Sequence, residues 1–218
     1  MPPSNRFAAP LLQKLHQGRD HGARHGYPVA LALEDLGSRP LGQGAGELAR
    51  GRIALGVTGS DVVREKIAGW ERKLTPLAPL GFGHADLVLA VPKTWTDVTT
   101  LGDLDAVADA FWKEHGFRLR IATKYHRLVR EFLRAAGVAD YALVDSQGAT
   151  EGTVKNETAE AIADITSTGE TLRANHLKIL GDGLILRSQA TLWKGRAAPM
   201  DGSERAVLAA LMRQLGVD

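Results

Sequence analysis

The chain has 218 residues, of which 44% are hydrophobic and 24% are charged, and its formal net charge is +2. This length allows one large domain or two small ones, and it is enough to bury a core without disulfides or metal ions. The charges nearly balance, so we expect neither nucleic acid nor a membrane surface as a partner. The chain has no cysteine, which excludes disulfides, thiolate metal sites and a cysteine nucleophile.

Neither a membrane-spanning segment nor a signal peptide is predicted from the sequence. No apolar run approaches the ~20 residues of a transmembrane helix, and Met1–Pro10 lacks the apolar stretch of a signal peptide. We therefore expect a cytoplasmic protein.

The first 50 residues are rich in polar residues and glycine, which predicts loops with a short helix over Ala8–His16. His21 and His25 form an H-x-x-x-H pair without a following Glu, and two imidazoles alone leave zinc under-ligated, so no zinc site is predicted.

From Arg52 onward, short apolar runs alternate with amphipathic segments, a pattern typical of the α/β class. Extended segments are predicted at Arg52–Val57, His84–Pro92, Arg118–Thr123, Tyr141–Ser146 and Asp182–Trp193. Helices are predicted from Ser60 to about Lys73, at Leu101–Gly116, at Tyr125–Gly137, within Lys155–Ile165 ahead of a strand, at Thr171–Leu177 and at Ser203–Gly216. Ser60 and Ser203 are the expected N-caps of the first and last of these helices.

The order of these segments suggests two lobes. Residues 101–146 form an uninterrupted βαβ run, whereas the segments before Pro92 and after Leu172 form a second group. We therefore expect lobe I at residues 1–93 and 172–218, lobe II at residues 94–171, and a cleft between the lobes. Ligands of such folds bind in the crevice at the carboxyl ends of strands.

The segment Ala163–Leu172, with the sequence ADITSTGETL, is the strongest candidate for chemistry. An apolar strand ends in a hydroxyl-rich turn, and a helix begins at once. Backbone N–H groups, hydroxyl donors and the helix dipole at such a junction can hold a phosphate monoester. An ordinary serine- and threonine-rich helix cap has the same pattern, and the segment alone does not separate the two. The candidate ligand-binding residues are Thr166, Ser167, Thr168, Gly169, Glu170 and Thr171.

Three carboxylates lie near this segment. Asp164 directly precedes the hydroxyl run, and Glu151 lies in the GATEG sequence after another predicted strand. A carboxylate beside a phosphate is repulsive unless it bonds ribose hydroxyls or helps to hold Mg²⁺, so we assign Asp164 and Glu151 functional roles. Glu160 is interpreted as part of a solvated helix face.

Two further strand ends carry weaker signals. The GVTGSD sequence contains Gly56, Thr58, Gly59 and Asp61, and it is either a plain tight turn or part of a ligand site. The ATKY sequence ends a strand with Lys124 and Tyr125. Its lysine can pair with phosphate or pyrophosphate, or it can be a surface lysine.

Six blocks, in this order, resemble those of the ATP phosphoribosyltransferase family. The blocks are GVTGSDVVRE, PLGFGHADLVLAVP, RIATKY, GATEG, ADITSTGETLRANHLKIL and DGLILRSQATL, and they cover roughly Gly51 to Leu192. The resemblance implies a two-lobed, type II periplasmic-binding-protein-like fold. It also implies condensation of ATP with phosphoribosyl pyrophosphate (PRPP), the first step of histidine biosynthesis.

The resemblance further implies a role for each candidate residue. The Thr166–Thr171 segment would hold the 5′-phosphate of PRPP, Asp164 would bond the ribose hydroxyls, and Glu151 would face the reacting ribose. The GVTGSD and ATKY segments would line the ATP and pyrophosphate side. Mg²⁺ would be carried mainly by the substrate phosphates, and no protein ligand for the metal is assigned.

Two departures from the family pattern qualify these expectations. Members usually begin with a P-S-K-G-R-L-like segment, whereas Pro3–Phe7 lacks the Lys and Gly, and residues up to about Ala49 match poorly. A non-catalytic module that binds a phosphorylated metabolite, or an impaired homologue, is therefore the alternative to an active enzyme. The chain also ends one predicted helix after Leu192, which resembles the short form that forms a hetero-oligomer with a histidyl-tRNA-synthetase-like regulatory subunit.

Overall fold

The computed structural model describes residues 43–146 and 150–216. The chain forms two compact units, which we call the terminal unit, Met1–His84 with Gln189–Asp218, and the central unit, Ala85–Ser188. The boundaries predicted from the sequence lie near residues 93 and 171. The boundaries differ because the strands at either end of the central unit pair with each other in its sheet.

The helices and strands follow the alternating order expected from the sequence. The helices lie at Gln43–Ala49 (α1), Ser60–Lys66 (α2), Trp70–Lys73 (α3), Leu101–His115 (α4), His126–Ala135 (α5), Gly152–Lys155 (α6), Glu170–Ala174 (α7) and Gly202–Gln214 (α8). The strands lie at Leu55–Gly59 (β1), Leu74–Pro79 (β2), Ala85–Pro92 (β3), Leu119–Thr123 (β4), Tyr141–Asp145 (β5), Ala161–Thr166 (β6), Leu177–Ser188 (β7) and Ala190–Gly195 (β8).

The terminal unit contains an antiparallel sheet in the order β1-β8-β2. Helix α1 packs on this sheet through Leu48, which is 1% exposed, and Trp193 of β8 is buried beside it. The ring of Trp193 meets Trp70 edge to face, with 5.6 Å between the ring centroids. At Gly195 an added Cβ would lie 2.6 Å from the carbonyl oxygen of Leu48, so only glycine allows α1 to approach β8 this closely.

The central unit contains a mixed sheet in the order β5-β4-β6-β3-β7. Strand β4 is parallel to both β5 and β6, whereas β3 is antiparallel to β6 and β7. Helices α4 and α5 cover an apolar core through buried residues such as Leu104, Val129 and Leu133. Both helices end near a glycine of positive φ, Gly116 at 73° and Gly137 at 81°.

Most elements of the central unit confirm the sequence predictions. The strands predicted at His84–Pro92, Arg118–Thr123 and Tyr141–Ser146 are shifted by one residue at most at each end. The helices predicted at Leu101–Gly116 and Tyr125–Gly137 are also present. Thr100 caps the first of these helices through a capping box with Asp103, a feature that the sequence analysis did not identify.

Two predicted caps and one predicted helix are wrong in detail. The helix expected from Ser60 to Lys73 is interrupted near Gly69, whose φ of 62° is incompatible with a continuous helix. Ser60 is the first helical residue, and the N-cap is Gly59, without a side-chain hydrogen bond. Asp201, rather than Ser203, caps α8, because its carboxylate accepts a hydrogen bond from the backbone N–H of the third helical residue.

Other differences concern segments without clear periodicity. Helix α1 lies within the region predicted as loops, and strand β2 was not predicted. The helix expected within Lys155–Ile165 lies earlier, at α6, and the extended segment Asp182–Trp193 divides between β7 and β8 at Gln189.

Three sequence features lie outside the described residues: the predicted helix over Ala8–His16, the Pro3–Phe7 segment and the His21–His25 pair. Among the described helices, none has the length and apolar character needed to span a membrane.

Candidate functional site

The parallel strands β4, β5 and β6 have their carboxyl ends side by side at one end of the central unit's sheet. We call this end of the strands the carboxyl edge of the sheet. Thr123, the last residue of β4, lies opposite Asp145 of β5 and Ala163 of β6. The pair Lys124–Tyr125 follows β4, Glu151 follows β5, and the hydroxyl-rich segment follows β6. The fold therefore brings these three candidate segments to the same edge, where ligands of open α/β sheets bind.

The hydroxyl loop, residues 166–171, is closed by its own side chains. The Oγ1 atom of Thr166 accepts a hydrogen bond from the backbone N–H of Gly169 at 2.8 Å. The Oγ1 atom of Thr168 accepts one from the backbone N–H of Glu170 at 3.3 Å. Gly169 has a φ of 73°, in the left-handed region that favours glycine. These contacts turn the chain from the end of β6 directly into α7.

The remaining hydroxyls of this loop are available to a ligand. Ser167, Thr168 and Thr171 are exposed, and the hydroxyls of Ser167 and Thr171 make no hydrogen bond with any described residue. A threonine hydroxyl that accepts an N–H bond keeps its own proton, so the two loop-closing hydroxyls remain donors as well. Helix α7 has only five residues, so its dipole is weak. An anion at this loop would be held more by hydroxyls and backbone N–H groups than by the helix dipole expected from the sequence.

Asp164 lies on the same strand face as the start of the hydroxyl loop. Residues two apart on a strand point to the same side, which places Asp164 beside Thr166. Its carboxylate is half-buried, and its Oδ1 atom accepts a hydrogen bond from the backbone N–H of Ile165 at 2.9 Å. One carboxylate oxygen is thus fixed, while the group remains partly accessible next to the loop donors.

Glu151 is half-buried at the N-cap position of α6. The hydroxyl of the preceding residue, Thr150, donates a buried hydrogen bond to the Oγ atom of Ser146 at 2.9 Å. The backbone N–H of Ser146 donates to the carbonyl of Thr123 at 3.4 Å. This chain of buried contacts anchors the residue before Glu151 to the ends of β4 and β5.

Lys124 and Tyr125 are adjacent in sequence but lie in different environments. Lys124 is exposed, whereas Tyr125 is 6% exposed and belongs to the apolar core. The Oγ1 atom of Thr123 accepts a hydrogen bond from the backbone N–H of Tyr125 at 2.9 Å, which fixes the turn into α5. The structure therefore gives Tyr125 a packing environment and leaves Lys124 as the accessible member of the pair.

The GVTGSD residues lie in the terminal unit. Thr58 and Asp61 are buried, and the carbonyl of Thr58 accepts a hydrogen bond from the indole Nε1 of Trp193 at 3.2 Å. An added Cβ at Gly56 would lie 2.8 Å from a methyl carbon of Leu48, so glycine at this position lets α1 pack on β1. Gly59 is the N-cap of α2, with Asp61 in its first turn, where a carboxylate is favourable.

Residues that the sequence analysis did not select also lie at this edge of the central unit. The Nε2 atom of His126, at the start of α5, lies 2.6 Å from Oδ1 of Asp145 at the end of β5. Asp86 of β3 lies opposite both Thr166 of β6 and Arg187 of β7, and directly opposed residues share a sheet face. No local motif signals these contacts, because each depends on the pairing of distant segments.

Glu160 has a structural role, but not on a helix face. It lies just before β6 with its side chain 14% exposed, and it forms an ion pair with Arg120 of β4. The carboxylate also accepts a hydrogen bond from the backbone N–H of Arg120 at 2.7 Å. Hydrogen bonding to this carboxylate raises the pKa of the Arg120 guanidinium. The pair joins the beginnings of two neighbouring parallel strands.

The donor groups near the hydroxyl loop suit a metal ion that is already coordinated by the phosphate groups of a bound ligand. Within residues 43–146 and 150–216, no group of three or more acidic or histidine side chains could hold a metal. Mg²⁺ commonly takes one or two carboxylates together with substrate phosphates and water. The partly accessible carboxylate of Asp164 beside the loop is one oxygen donor of this kind.

Comparison with known proteins assigns the family. A model of the HisG family, ATP phosphoribosyltransferase, matches residues 45–216. An ATP phosphoribosyltransferase from Cereibacter sphaeroides is 69% identical over 190 residues, covering 87% of this chain and 78% of the relative. One from Mesorhizobium japonicum is 53% identical over 161 residues, covering 73% and 69%.

Solved structures resemble the chain in fold. The ATP phosphoribosyl transferase (HisG:HisZ) complex from Thermotoga maritima matches with a TM-score of 0.60 and 22% identity over 82% of this chain and 76% of that chain. A structure described as a periplasmic transporter matches with a TM-score of 0.50 and 15% identity over 79% and 67%. At these identities the likeness concerns the fold alone, and it confirms the predicted α/β class of the type II periplasmic-binding-protein kind. The family match and the curated relatives together show that the chain belongs to the ATP phosphoribosyltransferase family.

Proposed function

We propose that this chain transfers the 5-phosphoribosyl group of PRPP to N1 of the adenine of ATP, as the first step of histidine biosynthesis. The products are N1-(5-phosphoribosyl)-ATP and pyrophosphate. Family membership supports the transferase activity. The observation that carries our placement of the site is the hydroxyl loop, closed around Gly169, with Asp164 on the adjoining strand face.

We assign the 5′-phosphate of PRPP to the hydroxyl loop. A phosphate monoester needs several donors converging from a short segment, and residues 166–171 offer the exposed hydroxyls of Ser167, Thr168 and Thr171 on one loop. Gly169 allows close approach of the backbone because it has no side chain and a positive φ. The internal bond from the Gly169 N–H to Thr166 fixes the loop before the ligand arrives, which lowers the entropy lost on binding.

The two carboxylates act on the charge that develops on the sugar. Adenine N1 carries a free lone pair at neutral pH, so its attack requires no prior deprotonation. The bond between the anomeric carbon and pyrophosphate breaks as the bond to N1 forms, and positive charge grows on the ribose. Asp164 would bond the ribose hydroxyls and Glu151 would face the reacting carbon, so that both stabilise this charge by position rather than by nucleophilic attack.

In the central unit, we assign the pyrophosphate side to the pair Lys124–Tyr125. Exposed Lys124 supplies a cation for departing pyrophosphate, while buried Tyr125 holds the turn that presents it. The buried Thr58 and Asp61, with Gly56 and Gly59 in the same segment, would shape the backbone that meets ATP.

Magnesium is the cofactor we propose, held mainly by the phosphates of the two substrates. When bound, Mg²⁺ neutralises charge on pyrophosphate as it leaves. Asp164 is the protein group best placed to contact the metal, since its carboxylate lies beside the proposed phosphate site. A cytoplasmic location follows from the biosynthetic role proposed for the chain.

We further propose that the protein acts in a hetero-oligomer with a regulatory subunit resembling histidyl-tRNA synthetase. A structurally similar protein was solved as a HisG:HisZ complex, which supports this arrangement. Inhibition by histidine then arises by linkage between separate binding sites. We expect the chain alone to show little inhibition when histidine is titrated against its initial rate, and the reconstituted complex to be inhibited. Strong inhibition of the chain alone would contradict this arrangement.

The test of the proposed function is release of pyrophosphate from ATP plus PRPP in a coupled assay, with and without the regulatory partner. We expect Asp164→Asn and Glu151→Gln to lower turnover by at least ~10-fold, because the amides keep the shape but lose the charge. Asp97→Asn, which changes an exposed carboxylate elsewhere in the central unit, is the matched control and should keep wild-type turnover.

Two outcomes would contradict parts of the proposal. If both amide variants keep wild-type turnover, the two carboxylates are structural and the site lies elsewhere. If the wild-type complex binds PRPP but releases no pyrophosphate, the chain is a binding module or an impaired homologue.

A further inference from the structure

A cavity lies at the amino ends of β4 and β5, at the end of the central unit's sheet opposite to the hydroxyl loop. Its volume is about 520 Å³, and its floor runs from Gly137 to Leu143, where the chain leaves α5 and enters β5. This volume lies within the roughly 300–1,000 Å³ typical of small-molecule sites. The floor includes buried Val138 and half-buried Tyr141 and Leu143, so one wall is apolar and partly aromatic.

Three arginines line this cavity. Arg118 precedes β4, and Arg130 and Arg134 lie one turn apart on α5. Like charges at this spacing repel each other on a helix. Arg130 and Arg134 have no ion pair or side-chain hydrogen bond with any described residue. Arg130 and Arg134 therefore present two exposed guanidinium groups that form no ion pair with a described residue.

Two acids that adjoin the cavity lining already have partners. Asp140 forms a long ion pair with Arg118, with 3.8 Å between Oδ1 and Nε. Asp105 of α4 accepts a hydrogen bond from the backbone N–H of Ala139 at 3.0 Å. Neither carboxylate is part of the cavity lining. The lining itself therefore carries three positive charges and no negative charge.

The cavity is distinct from the site proposed for PRPP. Arg118 adjoins the first residue of β4, whereas Lys124 follows its last residue. The four steps from Leu119 to Thr123 span about 13 Å at ~3.3 Å per residue. The cavity therefore lies at the amino ends of β4 and β5, and the hydroxyl loop lies at the carboxyl edge.

We propose that this cavity binds a diphosphate-bearing metabolite. Paired guanidinium groups recognise phosphate oxygens in a bidentate manner, and two of them on successive helical turns match two linked phosphates. The apolar and aromatic floor provides a surface for an organic group attached to the phosphates. The volume of the cavity exceeds what phosphate alone would occupy, which favours an organic diphosphate over the free inorganic ion.

The test uses two diphosphate probes that differ in the organic group: inorganic pyrophosphate and uridine diphosphate. Binding is measured by calorimetry, and the site is located by hydrogen–deuterium exchange of peptides covering residues 137–143. We expect protection of these peptides, with tighter binding of uridine diphosphate. Arg130→Gln/Arg134→Gln should weaken this binding by ~10-fold or more. Arg130→Lys/Arg134→Lys should recover only part of it, because lysine keeps the charge but lacks the planar fork.

Controls separate this site from the hydroxyl loop and from nonspecific attraction. Lys93→Gln/Lys113→Gln removes the same charge from exposed positions of the central unit and should bind both probes like wild type. Thr171→Val should likewise leave protection of residues 137–143 unchanged. Absence of protection with both probes, or equal loss in the lysine control, would overturn the proposal. Protection by an oligoglutamate peptide but by neither probe would also overturn it, in favour of a docking surface for an acidic protein segment.

Discussion

Two threonines of the hydroxyl loop are expected to respond in opposite ways to the same substitution. The Thr166 hydroxyl accepts the N–H of Gly169, which is buried, whereas the Thr171 hydroxyl is exposed and bonds to no described residue. Replacement by valine keeps the branched shape and removes only the hydroxyl. Thr166→Val therefore tests loop closure, and Thr171→Val tests contact with the ligand.

The magnitudes follow from burial. Thr166→Val leaves a buried N–H without its acceptor, which costs about 1–3 kcal/mol of unfolding free energy. Thr171→Val alters an exposed side chain and should change that free energy by less than ~0.5 kcal/mol. For binding of PRPP to the folded protein we expect the opposite order, with the larger effect in Thr171→Val. Loss of one charge-assisted bond at Thr171 raises the PRPP dissociation constant roughly 10-fold.

The assays are urea denaturation monitored by circular dichroism and calorimetric titration with PRPP. A fall in the denaturation midpoint without a change in slope is the expected result for Thr166→Val. Thr166→Ser restores the acceptor and should recover most of the stability. Thr94→Val, at an exposed turn of the same unit, is the control for both assays. Unchanged PRPP affinity in folded Thr171→Val would refute our placement of the phosphate, and unchanged stability of Thr166→Val would refute the structural role of its hydroxyl.

Three further predictions concern the two units separately. Gly195→Ala should destabilise the protein by ~1–3 kcal/mol in urea denaturation because the new Cβ meets the backbone of α1, whereas Gly202→Ala, in open space at the start of α8, should not destabilise it. Glu160→Gln should lower the unfolding free energy by ~1–3 kcal/mol, since it weakens the charge-assisted bonds from Arg120; full stability of this variant would show that the pair is dispensable. Hydrogen bonds from Thr99 and Thr100 lower the pKa of Asp103 from 3.8 to about 2, so its stabilising contribution is complete above pH 3.8 and is lost as the pH falls towards 2. Asp103→Asn should flatten the acid limb of stability measured between pH 5 and 2, and an unchanged limb would contradict this assignment.

The elements predicted correctly are those with strong local signals. Helix α4 combines apolar residues at helical spacing with a terminal Gly116 in the left-handed conformation, and strand β3 is an apolar run ended by Pro92. Such features are encoded within a few residues, so they can be recognised without knowledge of the fold. The hydroxyl loop belongs to the same class, because its closing hydrogen bonds join residues at most three positions apart.

The features that the sequence analysis missed depend on distant contacts. Glu160 meets Arg120 across 40 positions, and His126 meets Asp145 across 19. The burial of Tyr125 likewise depends on helices and strands that pack around it from the rest of the central unit. The hydrophobic periodicity and the composition of a segment do not specify which strands become neighbours. Neither the Glu160–Arg120 ion pair nor the burial of the Tyr125 ring could therefore be derived from the local sequence alone.

The central claim is that residues 166–171 hold the phosphate of PRPP. The most direct measurement is hydrogen–deuterium exchange of peptides spanning these residues during a PRPP titration. Our account predicts protection of this segment that saturates over the same PRPP range as pyrophosphate release, and weaker protection in Thr171→Val. PRPP-dependent protection elsewhere in the chain, with exchange of residues 166–171 unchanged at saturating PRPP, would contradict it.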